Sequence, residues 1–235
     1  MTKLNDRVAG PWAYAAPGAA AAIDYLRGEP EAVRNAPVIW KTRSKFVRRV
    51  KLPDELGGFD VAYKCYANRR PRRYLLRRSP QGREAANFLR LSALGLPLVE
   101  LLGAGETRTL FKLGKGYIIT RYAGDFVSGA GFLAGGEDRS KVELRTAYAR
   151  QVLRFLAVAH RAGFLHLGAR LQNFLWRQKD GEMEILGLDF ASSHFLPCRL
   201  PGFLAELDLK QFFRDLAPEA AEEQMLRDYY HSVKE

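Results

Sequence analysis

The sequence predicts an α+β protein in two lobes: an antiparallel β-sheet with one helix, followed by a short, mostly helical half. Three observations predict it. Between residues 38 and 122, short apolar runs alternate with polar residues at a period of two and are interrupted by a single helical stretch. A Gly-rich segment at 124–136 then separates this half from the remainder. Beyond it the apolar spacing becomes helical and closes with two amphipathic segments, 204–216 and 219–231. The expected organisation is an N-terminal extension at 1–36, a first lobe at 37–123 and a second lobe at 124–235.

The extension is rich in Ala, Gly and Pro, with one short helix expected at 19–26; it either packs on the following lobe or is mobile. The small-residue run from Ala13 to Ala22 is interrupted by Pro17 and Gly18, and Asn5 and Asp6 spoil a positive leading region, so a signal peptide is a poor reading. Strands follow at 38–40 and 45–50 around a basic turn at 41–44, and a third at 59–66 after the break at Gly57-Gly58. Residues 69–78 form a basic loop with six Arg and Pro71. Ser79-Pro80 supplies an N-cap followed by Pro at the first helical position. Ala85, Phe88, Leu89 and Leu91 then carry the helix to Gly95. Strands are expected at 96–102, 108–112 and 117–122, with a turn at Gly114-Lys115-Gly116.

In the second half Ser140 and Glu143 make a capping box. Leu144, Tyr148, Val152, Phe155, Leu156 and Ala159 trace one face of a helix of about six turns that ends at Ala162-Gly163. Two short strands, 174–176 and 184–188, flank a turn at Lys179-Asp180-Gly181.

The chain has 235 residues, 37 Lys and Arg against 26 Asp and Glu, and a formal charge of +11. That balance favours polyanionic partners: nucleotide phosphates, nucleic acid or a phosphorylated membrane surface. Cys65 and Cys198 are too few and too distant to form a disulfide framework, and no Cys/His metal-ligand spacing is present. No run approaches the roughly 18 apolar residues of a spanning helix, so any membrane contact is expected from the surface.

A few residues carry chemistry. Lys64 lies inside the third strand, and Glu84 follows it by twenty residues near the start of the expected helix; alone, they are a solvated Lys and a first-turn Glu favoured by the helix dipole. Asn173 ends the loop after the long helix, and Asp189 follows the apolar run Ile185-Leu186-Gly187-Leu188. A carboxylate there is costly to bury without a partner or cation, and two oxygen side chains so placed suit a magnesium ion bridging phosphates. His166 opens this loop and is expected to be structural, orienting it by hydrogen bonds. Arg170 is weighed evenly as a phosphate contact or a surface Arg.

The stretch His166-Leu167-Gly168-Ala169-Arg170-Leu171-Gln172-Asn173 with Asp189-Phe190, together with Val61-Ala62-Tyr63-Lys64, resembles the catalytic motifs of the protein-kinase-like superfamily. Asn173-Phe174-Leu175-Trp176, the absence of a Gly-rich loop at 41–45 and the short helical ending at 226–230 are most similar to the bacterial lipopolysaccharide core kinases, the WaaP-type family acting on Kdo or heptose. The resemblance covers about residues 38–230 and implies a two-lobed protein-kinase-like fold. It also implies ATP and Mg2+ as cofactors. Lys64, Glu84, Asn173 and Asp189 would make the nucleotide site, and Asn173 and Asp189 would hold the metal. Arg170 falls at the position of a phosphate-contacting Lys. It further implies a cytoplasmic protein working at the inner membrane face, with a core sugar or anionic membrane as partner. Nucleic-acid binding through residues 69–78 is the least favoured reading.

One position departs from the pattern. Where these kinases place the Asp that takes the acceptor's proton, the chain has Gly168. Two functions therefore stay open: a sugar kinase with weak transfer, or a pseudokinase that binds nucleotide or assists a partner kinase. Asp125 and Asp138 are candidates for a substitute carboxylate.

Overall fold

The computed structural model describes residues 12–67, 78–109, 112–134 and 139–234. Most of the basic loop at 69–78, and Asp138, lie outside the described residues. The chain divides into two compact units, Met1–Ala86 with Val99–Gly124 and Asn87–Leu98 with Asp125–Glu235.

The first unit is a six-stranded antiparallel sheet. Its strands are β1 (Trp12–Ala15), β2 (Val38–Lys41), β3 (Lys45–Lys51), β4 (Asp60–Tyr66), β5 (Leu101–Thr109) and β6 (Lys112–Arg121), in spatial order β1-β5-β6-β4-β3-β2. Helices α1 (Ala20–Arg27) and α2 (Glu31–Asn35) precede β2, and α3 (Pro80–Ala93) follows β4. The period of two sorts β4 onto two faces. Val61 and Tyr63 face a core shared with Val50, Leu52, Leu102, Tyr117 and Ile119, onto which Ile23, Leu26 and Val33 of α1 and α2 pack. Tyr66, on the other face, packs with Ala104, Ile118 and Ala85 of α3. The described part of the extension, residues 12–36, thus packs as one layer of the first unit. Ser79 caps α3, accepting a 3.0 Å hydrogen bond from the Gly82 amide, with Pro80 at the first helical position.

Several expected boundaries move. Strand β5 begins at Leu101, and of the segment expected as strand before it Leu98 makes only an isolated bridge, to Gly187. The turn expected at 114–116 is absent, because β6 runs straight through it. Gly116 is there for close approach: a Cβ on it would collide with the Gln81 side chain. Strand β1 was not expected. It is an edge strand whose existence depends on pairing with β5, from Trp12 opposite Glu106 to Ala15 opposite Gly103.

The second unit contains β7 (Val127–Ser128), α4 (Arg139–Arg161), β8 (Phe164–Leu165), β9 (Phe174–Lys179), β10 (Glu182–Gly187), β11 (His194–Phe195), α5 (Gly202–Leu216) and α6 (Ala220–Lys234). Strands β10, β9 and β7 form one small sheet, and β11 pairs with β8. The β9–β10 hairpin turns through Asp180 and Gly181 at φ values of 51° and 82°, the left-handed pair that suits the twist of flanking strands. Helix α4 buries Tyr148, Val152, Phe155, Leu156 and Ala159, the face read from the sequence. It already includes Arg139 and Ser140, so Ser140 does not stand ahead of the helix as its cap. Cys65 and Cys198 are free thiols, and burial pushes Cys65 up to about 11. Among the described residues no helix is long and apolar enough to cross a membrane.

Leu26 is fully buried where α1 meets the sheet. Leu26→Ala is expected to lower unfolding stability by about 2–5 kcal/mol in urea denaturation; a loss below about 0.5 kcal/mol would show that the extension is not part of the folded unit.

Candidate functional site

In the first unit the alternation of β4 turns Lys64 toward α3, on the same face as Tyr66. Its Nζ lies 2.8 Å from Glu84 Oε1 and 3.0 Å from Oε2, and the Tyr66 hydroxyl donates to Oε2. Both charged side chains are buried, Lys64 with 9% and Glu84 with 2% of its surface exposed. Removing two charges from water costs several kcal/mol per ion before their attraction offsets it. A pair this buried is therefore weakly explained by stability alone. Lys64 and Glu84, twenty residues apart in sequence, are in direct contact.

In the second unit the loop after α4 is held by a side chain, Asp208, to which sequence reasoning gave no role in the loop. Asp208 of α5 is wholly buried. Its Oδ2 accepts the His166 amide and its Oδ1 the Leu167 amide, each at 2.7 Å. His160 Nε2 lies 3.1 Å from the same Oδ2, and His160 Nδ1 is 2.7 Å from the Tyr230 hydroxyl. The arrangement that satisfies every group has Nε2–H donating to Asp208 and Nδ1 accepting from Tyr230. Leu167 sits at a φ of 55°, a left-handed conformation that a non-Gly residue keeps only when its surroundings impose it. The Asp208 carboxylate supplies that constraint. The available signal was an Asp on the apolar face of a helix, between Ala205 and Phe212.

The ring of His166 does not orient the loop by hydrogen bonds, contrary to expectation. It is fully buried, and neither ring nitrogen has a hydrogen-bond partner among the described residues. It packs instead against Phe164, Phe174 and Phe190, with centroids 5.3–5.9 Å away. Burial lowers its pKa below the ordinary 6.5, although the Asp208 carboxylate opposes the shift. The backbone carbonyl of His166 accepts from Ser193 Oγ at 2.7 Å.

Asn173, in the turn before β9, donates from Nδ2 to the Gly168 carbonyl at 2.8 Å. That bond fixes the amide and leaves Oδ1 as its remaining oxygen. Asp189 follows β10 at a φ of 59° and is partly buried. Asn87 steadies the chain beyond it, donating to the carbonyls of Phe190 at 2.9 Å and Ser193 at 3.0 Å, while Phe88 packs edge-on to Phe190 at 4.9 Å. Arg170 is exposed, and Asp125 is paired with Arg177. A Cβ on Gly168 would stand 3.5 Å from His166 Nδ1 and 3.6 Å from Asn173 Nδ2, ordinary contact distances. The backbone there has room for a Cβ.

Among the described residues no group of three or more His, Cys, Asp or Glu side chains could hold a metal. One amide oxygen and one carboxylate, Asn173 and Asp189, suit magnesium, which keeps several waters and takes one or two protein oxygens with phosphates. They do not suit a metal that needs a full protein cage.

His166 generates a pH prediction. Its folded pKa is depressed and its unfolded value is 6.5. Below pH 6.5 the unfolded chain binds the extra proton first, so this stability is complete above pH 6.5 and is lost as pH falls toward the folded pKa. Denaturation between pH 7.5 and 5 is expected to show stability falling below about pH 6.5 and a flatter profile in His166→Phe; identical slopes would contradict a buried neutral imidazole.

The model of the lipopolysaccharide kinase (Kdo/WaaP) family matches residues 68–230. Among solved structures, one described as "WaaP in complex with acyl carrier protein" superposes with a TM-score of 0.62 at 16% identity, covering 95% of this chain and 100% of that one. No curated protein matches the chain. At that identity the superposition establishes the fold: the antiparallel first half with its helix and the helical second half are those of a WaaP-type kinase. The matched family model spans well over half of the sequence, and the chain belongs to the lipopolysaccharide kinase (Kdo/WaaP) family.

Proposed function

We propose that this protein binds Mg-ATP and has weak or vestigial phosphoryl transfer to a sugar of the lipopolysaccharide inner core, Kdo or heptose. The observation that carries the reading is the buried Lys64–Glu84 pair with its Tyr66 hydrogen bond. In the proposal Lys64 meets the nucleotide phosphates, and Glu84 holds the ammonium aimed at them. Asn173 and Asp189 provide oxygens for magnesium, whose chemistry when bound is to neutralise charge on the phosphates. Arg170, exposed and able to form a fork, is a candidate contact to the transferring phosphate.

The weakness of transfer follows from Gly168. A general base contributes typically about 10² to 10⁴ in rate, and this position has no side chain to take the acceptor's proton. His166 cannot replace it, because a fully buried ring has no reach to a substrate hydroxyl. Asp125 is engaged by Arg177. Positioning and charge stabilisation, which do most of the work in phosphoryl transfer, rest on residues the chain retains. The second reading, a pseudokinase that assists a partner kinase, is favoured by the same Gly168. The net charge of +11 also favours acidic partners, and a carrier protein like the one bound to the solved WaaP is a compatible assembly.

Gly168→Asp separates the two readings. A Cβ at this position meets only ordinary contacts, and with the other groups in place the substitution is expected to raise ATP turnover about 10²-fold or more in a coupled assay. An unchanged rate with ATP still bound would contradict the weak-kinase reading and favour the pseudokinase.

A further inference from the structure

The two faces of the first sheet are occupied differently. Neighbours on β4 alternate, so Lys64 meets Glu84 on the α3 side while Tyr63 turns to the side covered by α1 and α2. That second side carries a surface cavity of about 370 Å³, an ordinary size for a small-molecule site. Tyr63 and Tyr117 line it together with Arg27, Glu29, Arg34 and Lys115, all within the first unit. Among the described residues it shares no lining side chain with the proposed nucleotide site.

Tyr117 is the member that packing leaves unexplained. Only 8% of its surface is exposed, and its hydroxyl has no hydrogen-bond partner among the described residues. A buried hydroxyl without a partner destabilises a folded chain. The sheet is nevertheless shaped to hold it there. Gly105 on β5 stands opposite Tyr117 on β6, and a Cβ on Gly105 would collide with that hydroxyl. Burial raises the pKa of Tyr117 and of Tyr63, so both phenols stay protonated. An acceptor oxygen brought by a ligand would satisfy the orphaned donor.

The surrounding charges indicate what carries that oxygen. Three cations, one each from α1, α2 and β6, meet two carboxylates among the lining residues, and neither carboxylate saturates them. Glu106 lies on the α3 side of β5, where its carboxylate accepts from Gln81 at 2.9 Å and from Ser79. Glu29 reaches Lys115 only at 3.5 Å. Asp24, which does not line the cavity, stands 3.7 Å from Arg27 with both side chains exposed. Arg27 and Arg34 are exposed, and a guanidinium fork matches the oxygens of a phosphate.

We propose that this cavity binds a small phosphate-bearing organic molecule, with Arg27, Arg34 and Lys115 around the phosphate and the Tyr117 hydroxyl donating to a ligand oxygen. The Arg27 guanidinium stands over the Tyr117 ring, 5.8 Å from its centroid, and turning it toward a bound phosphate would uncover the ring edge. The site joins α1, α2 and β6, so occupancy would also fasten the extension to the sheet. Nothing in it depends on nucleotide binding at Lys64.

The test is calorimetric titration of the full chain with glucose 6-phosphate, AMP and inorganic phosphate, with and without millimolar Mg-ATP. Glucose 6-phosphate or AMP is expected to bind about tenfold or more tighter than inorganic phosphate, and to do so equally with Mg-ATP present. The tighter of the two shows whether the body of the ligand is a sugar or a nucleoside. Tyr117→Phe is expected to weaken that binding about tenfold or more, while the melting temperature of the ligand-free chain stays level or rises, because an unsatisfied hydroxyl has been removed. A merely structural hydroxyl would give the reverse: a lower melting temperature and unchanged affinity. Arg27→Ala with Arg34→Ala is expected to weaken binding by a similar factor and to leave ATP affinity unchanged, so failure here is distinguishable from failure of the nucleotide-site reading. No binding of either organic phosphate at millimolar concentration, or its loss when Mg-ATP is added, would overturn the proposal. So would affinity no better than that of inorganic phosphate, or unchanged affinity in either variant.

Discussion

A single buried carboxylate organises the second unit. Asp208 accepts two consecutive loop amides at 2.7 Å and meets His160, itself 2.7 Å from Tyr230. Hydrogen bonds to a charged acceptor contribute about 1.5–3 kcal/mol each. This set outweighs the cost of Leu167 in a left-handed conformation, of order 1–3 kcal/mol. The loop's course from Phe164 to Asn173 is therefore imposed from α5 rather than by the loop's own residues. This explains why the loop keeps its path although Gly168 carries no side chain and the His166 ring makes no hydrogen bond among the described residues.

The same reasoning bears on the proposed nucleotide site. Buried polar arrangements cost stability unless every partner is present. The Lys64–Glu84–Tyr66 group and the Asp208–His160–Tyr230 group both have their partners. In the proposed reading the vacancy is confined to Gly168, where a Cβ would meet only ordinary contacts. In the proposed reading the nucleotide half persists under a constraint of its own, and only proton removal from the acceptor is missing.

Much of this was legible in the sequence, for identifiable reasons. Ser79-Pro80 fixed the start of α3, Asp180-Gly181 fixed a hairpin, and the alternation of Val61 to Tyr66 placed Lys64 on the face that meets Glu84. These are local signals, each set by a few neighbouring residues. What was missed depends on distant partners. Strand β1 exists through its pairing with β5, Gly116 answers to Gln81, and Asn87 reaches carbonyls more than a hundred residues away. Asp208 lies between these cases: its place on an apolar helix face was visible, but its partners were not. The expected hydrogen-bonding role of His166 failed because Asp208 serves the loop's backbone directly.

The central proposal is that Asn173 and Asp189 hold magnesium for a nucleotide. It is tested most directly by measuring ATP affinity calorimetrically with and without Mg2+, in the native chain and in Asp189→Asn, a residue that tolerates the left-handed backbone at this position. The account predicts that Mg2+ tightens ATP binding in the native chain and that Asp189→Asn removes most of that gain. Failure of the native chain to bind ATP at millimolar concentration, or an equal response to Mg2+ in both proteins, would contradict it.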